Sequence, residues 1–390
     1  MAPVDLQGWR VLEIDASQRV VVAVVSWHDR LGGVPASGSS SPEATPPGRE
    51  LESADMTSCR LRVGTLVLAA AGGVLVATGA LAQQTTGPRP GAAKWTAPRT
   101  PWGDPDLQGI YTNKDENNVP FERPADLAGK RLSDFGPKEM AALVRQRQEL
   151  AAKQARSIGG TAENDTGAGP SHWYEHLDAN NAQPWLVIDP EDGMVPPLNA
   201  SGKARAAARQ AARQGRGPSD SYTDRSIYDR CISRGVPDTM RPIIYGASYD
   251  ITQAPGYVVI RYEMVHEARV IPLDRRPRLA PAIKQYMGDA RGWFEGDTLV
   301  VETTNVHDNM NYRGSTSGLK VTERFTPVSK DLIDWTARME DPTTWDRSWA
   351  IRMPLKRDET QMIFEFGCHE GNRGLENILR AARAEDAQKK

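Results

Sequence analysis

The sequence predicts a mainly β fold: an antiparallel up-and-down β-barrel of lipocalin-like architecture, with an N-terminal wrap of helices and loops and a C-terminal helix. Three observations predict it. From residue 246 the apolar pattern alternates with a period of two, the signature of strands with one buried face. The alternating runs are short and are separated by hairpin signals, Pro255-Gly256, Gly296-Asp297 and Ser329-Lys330-Asp331, which make sequence neighbours antiparallel. There are about nine such runs, enough for closure into a barrel to remove the exposed edges.

The order along the chain begins with residues 1–55, a Pro-, Ser- and Gly-rich leader with no capacity for a packed core, read as lying upstream of the true start. Residues 56–82 read as a secretory signal peptide. Met56 is followed by Arg60 and Arg62, an apolar run from Val63, and Ala80-Leu81-Ala82 as the small-residue cleavage site. A membrane anchor is the competing reading, but the run is rich in Ala and Gly and ends on the cleavage pattern. Residues 83–100 form a Pro/Gly-rich tether.

Residues 101–245 form the wrap. "PWGDPDLQGIYTN" is turn-rich, with Trp102, Ile110 and Tyr111 as anchors, and a helix is expected from about Pro137 to Ser157. In the helical run after Asn199, Arg205, Arg209 and Arg213 recur every four residues and read as a solvated face. The barrel occupies residues 246–373, with strands "SYDITQA", "YVVIRYEM", "ARVIPL", "GWFEG", "TLVVETTN", "LKVTERFTPV", "LIDWTARME", "WAIRMPLKR" and "QMIFEFG". Residues 374–390 form a helix whose Leu375, Ile378, Leu379 and Ala382 make one stripe, expected to pack on the barrel.

The 390-residue chain carries 48 basic and 50 acidic residues, a net charge of -2, which offers no bulk attraction to nucleic acid or an anionic membrane. Membrane contact is expected only during export. Cys59 leaves with the signal peptide, so Cys231 and Cys368 remain in an oxidising compartment, periplasmic or secreted, and are expected to form a disulfide.

The segments "WGDPDLQG", "DRCISRG", "APGYVVIRYEMVHEARVIPLD", "GWFEGDTLVVETTN", "ERFTPV", "DPTTW" and "CHEGNRGLENIL" together resemble a large family of exported bacterial proteins of unassigned function. The resemblance spans about Trp102 to Glu385 and implies no known chemistry. It places Cys231 and Cys368 in a shared family core.

Several groups could carry chemistry. In "LKVTERF" the alternation puts Glu323 on the apolar face, inside the barrel, where an unpaired carboxylate would have a raised pKa suited to general acid-base work. The simpler reading is a structural ion pair with an Arg from an adjacent strand. The run "YEMVHEARVIPL" gathers Glu263, His266, Glu267 and Arg269, a proton shuttle and an anion clamp if they face one pocket, a polar hairpin tip otherwise. "SHWYEH" places His172, Glu175 and His176 in the H-x-x-E-H pattern of inverted zinc peptidases, but no long helix presents the pair and no third ligand is identified. His369 and Glu370 follow the final strand and point either into the barrel mouth or toward the start of the last helix.

No P-loop, GxGxxG, G-x-S-x-G or CxxC motif supports nucleotide, Ser-hydrolase or thioredoxin-like chemistry, and no cofactor is called for. Two functions follow as expectations. One is a cofactor-independent acid-base enzyme (lyase, isomerase or hydrolase) using Glu263, His266, Arg269, Glu323, His369 and Glu370. The other is a non-catalytic binder of a small apolar molecule, in which the same residues orient the ligand. A zinc-dependent hydrolase is a distant third.

Overall fold

The computed structural model of the chain describes residues 95–158, 180–243, 245–274, 276–370 and 372–388. The leader, the signal-like segment, most of the tether and the His172/His176 pair lie outside the described residues.

Ten strands form one antiparallel sheet. They are β1 (Gly109–Thr112), β2 (Val187–Asp189), β3 (Ser248–Ala254), β4 (Tyr257–Tyr262), β5 (Ala268–Pro272), β6 (Asp289–Glu295), β7 (Thr298–Thr304), β8 (Lys320–Ser329), β9 (Leu332–Glu340) and β10 (Trp349–Arg357). The hydrogen-bonded order is β5-β4-β3-β1-β10-β9-β8-β7-β6, with β2 joined to β10 off that path. Read as a ring, this is sequence order, so the barrel is the up-and-down type that short links between antiparallel neighbours require. The ring is nearly closed: β5 and β6 come together without a ladder.

The hairpins sit where the turn chemistry places them. Ala254 pairs with Tyr257 around Pro255-Gly256, and Glu295 with Thr298 around Gly296-Asp297. Gly256 and Gly296 both take left-handed φ, 79° and 62°, a conformation that costs glycine nothing.

Period-two alternation turns one side of each strand inward. Tyr249 and Ile251 of β3, Ile260 and Tyr262 of β4, Phe325 of β8, Trp335 of β9 and Met353 of β10 are all buried in the barrel. Each fully buried side chain of this size contributes about 1.5–3 kcal/mol relative to exposure. At the β5/β6 junction this packing replaces hydrogen bonds. A Cβ on Gly292 of β6 would lie 2.8 Å from Ile271 Cγ2 and 3.0 Å from Leu273 Cδ2, so only the missing side chain lets β5 pack this closely.

Three expectations need correction. "QMIFEFG" is not a strand. After β10 the chain leaves the sheet, with the Asp358 N–H donating to the Ile110 carbonyl, and residues 361–367 run outside any ladder with Met362 and Phe364 exposed. The place beside β10 is taken instead by β1, where Tyr111 pairs with Arg357 on one side and Tyr249 on the other. At four residues β1 is too short to show an alternation, so its sequence reads as loop. The final helix, α3 (Arg373–Gln388), has no buried residue and rests on the 219–222 loop, where the Arg383 guanidinium donates to the Asp220 carbonyl at 2.9 Å. Leu379 of its apolar stripe lies beside Ser221 and Tyr222 of that loop, which takes up the contact the barrel was expected to make.

The other two helices lie in the wrap. The first, α1 (Pro137–Ile158), buries Val144, and α2 (Ala200–Ala212) is capped by Asn199, whose Oδ1 accepts from the Gly202 N–H at 2.9 Å.

Candidate functional site

Glu323 faces inward, as the alternation of β8 requires, and its side chain is fully enclosed. Its partner is Arg269 of β5, with Nη2 2.7 Å from Glu323 Oε2 and the Arg269 side chain 2% exposed. The expected ion pair therefore exists, but the Arg comes from across the open junction and not from an adjacent strand. The Arg on β8 itself, Arg324, points outward to Glu295 at 2.9 Å.

Around the pair, each polar neighbour sits at an inward strand position. Arg269 Nη2 donates to Thr303 Oγ1 of β7 at 2.9 Å, and Nη1 donates to the Tyr262 hydroxyl of β4 at 3.3 Å. Trp335 Nε1 of β9 donates to Glu323 Oε1 at 3.2 Å. One ion pair thus ties β4, β5, β7, β8 and β9 together beneath the unpaired β5/β6 junction. Burial works against the Arg269 charge, but Glu323 and Tyr262 outweigh it and hold the guanidinium above its ordinary pKa. Burial likewise raises the Tyr262 hydroxyl, with Arg269 pulling the other way.

The cluster is not saturated. Arg269 Nε has no hydrogen-bond partner, and the Glu323 Oε2 contact is ionic without an N–H aligned on the oxygen. Buried polar atoms of this kind are uncommon in folded proteins and mark a place where a polar group could be accepted.

The remaining candidates with described side chains make their contacts elsewhere. Glu263 Oε2 accepts from the Ser248 N–H at 3.1 Å, and Glu267 accepts from Ser233 Oγ at 2.5 Å and from the Arg234 N–H at 3.2 Å. Both carboxylates hold backbone in place near the end of the barrel. His266 lies in a short 3₁₀ turn, Met264–His266, between β4 and β5; its side chain is outside what the structure describes. His369 and Glu370 are both exposed, so neither enters the barrel. The α3 cap is supplied by Asn372, whose Oδ1 accepts from the Leu375 N–H at 3.3 Å.

Cys231 and Cys368 are bonded, with Cα atoms 5.6 Å apart. The Asn372 amide also donates to Cys231 Sγ at 3.1 Å, so the bridge and the start of α3 are one assembly. Among the described residues, no group of three or more His, Cys, Asp or Glu could hold a metal ion, and no helix is long and apolar enough to cross a membrane.

Sequence reasoning missed a second buried carboxylate, Glu116, in the turn after β1. It is 1% exposed, and its two oxygens accept from the Ala182 N–H at 2.9 and 3.2 Å. Burial pushes it up to about 7, only partly offset by the Ala182 N–H, Lys356 and Arg147. The folded pKa exceeds the unfolded one, so its contribution to stability is full below the ordinary pKa of about 4.5 and is lost as pH rises through about 7. That span corresponds to on the order of 3 kcal/mol. Urea unfolding at several pH values is expected to show Glu116→Gln gaining on the parent as pH rises from 5 to 8. Parallel curves would show that Glu116 does not titrate in this range.

Nothing in the sequence marks this glutamate, because it lies in a loop with no periodicity. By contrast Tyr262, Thr303 and Trp335 occupy inward positions of recognisable strands, and the alternation that placed Glu323 places them too. No protein-family model matches the chain, and no curated protein matches it.

Proposed function

We propose that this is an exported protein whose β-barrel binds a small, largely apolar molecule carrying one polar group, and that Arg269 and Glu323 orient that group without turning the ligand over. The observation that carries the reading is the incompletely satisfied Arg269/Glu323 pair, enclosed by apolar side chains directly behind the one junction of the ring that lacks a ladder. Opening the β5/β6 junction separates side-chain packing and breaks no backbone hydrogen bond between the two strands. It is therefore the least costly way into the barrel.

Export is supported by the signal-like segment at residues 56–82 and agrees with the disulfide. The likeness of the sequence motifs to a family of exported proteins points the same way. Binding is favoured over catalysis because, among the candidates with described side chains, Glu263 and Glu267 accept backbone N–H donors and His369 and Glu370 are exposed and not enclosed with Glu323.

The test is a titration of the purified chain with medium-chain alcohols and fatty acids, followed through tryptophan fluorescence, since Trp335 touches Glu323. Saturable binding that weakens at least tenfold in Glu323→Gln, with the circular dichroism spectrum retained, is the expected result. Absence of saturable binding across the panel, or conversion of a bound probe to a new product, would overturn the reading.

A further inference from the structure

A second concentration of chemistry lies where the wrap meets the loop between β7 and β8, away from the Arg269/Glu323 pair. Tyr312 stacks on Trp349, with centroids 6.0 Å apart and planes 13° apart, and Phe121 meets the same Trp349 edge-on at 5.9 Å. The ring of Phe121 carries two guanidinium groups, with Arg313 Cζ 3.5 Å and Arg241 Cζ 5.1 Å from its centroid. A third cation is brought to the same loop by α2, where Arg209 donates to Asn311 Oδ1 and Arg205 ties the helix down by donating to Thr344 Oγ1 at 2.6 Å. The Arg stripe of α2 is thus not simply a solvated face.

The charges here do not balance. Asp238 pairs with Arg241 at 3.0 Å, but among the described residues neither Arg209 nor Arg313 forms an ion pair. Bringing three guanidinium groups to one loop with only Arg241 paired to a carboxylate costs stability, and a bound anion would offset that cost. A second observation is independent of the charges. Tyr312 is 6% exposed, yet among the described residues no donor or acceptor is aligned on its hydroxyl, which has Asp238, Arg241 and Arg313 as its charged neighbours. The backbone is also held in an uncommon shape on both sides of this tyrosine, with φ of 40° at Asn311 and 48° at Arg313. Left-handed residues other than glycine persist where the surroundings hold them, and they are enriched at ligand sites.

We propose that Arg313 and Arg209, which flank Tyr312 along the loop (Arg209 through its bond to Asn311), form with the Tyr312 hydroxyl beside Arg313 a binding site for the oxyanion of a small molecule, a carboxylate or a phosphate monoester. Arg313 is held by its contact with Phe121, and a guanidinium so held is a two-pronged donor that loses less freedom on binding. The site goes beyond the barrel reading above and does not depend on it, because none of its residues touches the Arg269/Glu323 pair.

Isothermal titration of the full chain with benzoate and, separately, with inorganic phosphate at constant ionic strength tests it. Saturable binding of either anion is expected, with affinity reduced at least tenfold in Arg313→Gln and in Arg209→Gln. The stronger of the two anions identifies the ligand as carboxylate or phosphate. Arg324→Gln, which removes an exposed cation from the outer face of β8, should leave affinity within twofold. No saturable binding of either anion, or an equal loss in Arg324→Gln, would overturn the proposal. Tyr312→Phe keeps the ring stack, so weakened binding in that variant with unchanged thermal unfolding separates loss of the hydroxyl from loss of fold.

Discussion

Arg269→Met is expected to lower the stability of the barrel by about 3–5 kcal/mol in urea unfolding, because it leaves the Glu323 carboxylate enclosed without its counter-charge. The loss comes from the charge left behind more than from the attraction removed. A double replacement, Arg269→Met with Glu323→Leu, should therefore recover most of it, since apolar side chains of similar volume often match or exceed a buried ion pair. A single variant that costs less than about 1 kcal/mol would mean that Glu323 finds water or another donor, and that the pair does not hold the ring.

The location of the loss is also specific. Because Arg269 bridges from β5 to Thr303 of β7 and Glu323 of β8, its removal should loosen the strands at the open junction first. Amide exchange in the Arg269→Met variant is expected to speed up in β5 and β6 while β8 and β9, joined by a long ladder, stay protected.

Removing the disulfide should have the other large effect. Cys231 and Cys368 are 137 residues apart, and closing a loop of that length stabilises by about 4–5 kcal/mol in the chain-entropy model. Cys231→Ser with Cys368→Ser, or reduction of the parent, should lower the urea midpoint to match, and the two should agree with each other. If both lie within about 1 kcal/mol of the oxidised protein, the tail after β10 is held by Asn372 and its contacts rather than by the bridge.

Much of the barrel was legible in the chain, and the reason is local. An alternation of apolar and polar residues fixes which side of a strand is buried before any partner is known, so β3, β9 and β10 were placed to the residue and β4 to β8 to within a few. The same rule put Glu323 inside. It failed for residues 361–367, whose alternation is real but whose place beside β10 is taken by β1, a segment too short to announce itself. Propensity is necessary for a strand, but a free edge to pair with is what completes it.

The buried pair shows the same division. Sequence placed Arg269 with Glu263 and His266, its neighbours along the chain, and Glu323 with an unnamed Arg on the next strand. In the folded barrel Arg269 and Glu323 meet through the centre, because the two ends of the ring come together at β5 and β6. No spacing within a single element encodes that encounter. The loop arginines near Tyr312 are similar: Arg209, Arg241 and Arg313 belong to three separate segments, and only the docking of α2 and Phe121 on the barrel end brings them to one place.

Alone, the sequence determined the β class, the turn positions, the inward orientation of Glu323 and the pairing of Cys231 with Cys368, because each depends on neighbours along the chain or on elimination among few candidates. The tertiary structure decided which strand closes the ring, which charge answers Glu323, and that His369 and Glu370 stay outside. Those outcomes depend on contacts between distant segments, which are set when the whole core packs and not by any stretch within it.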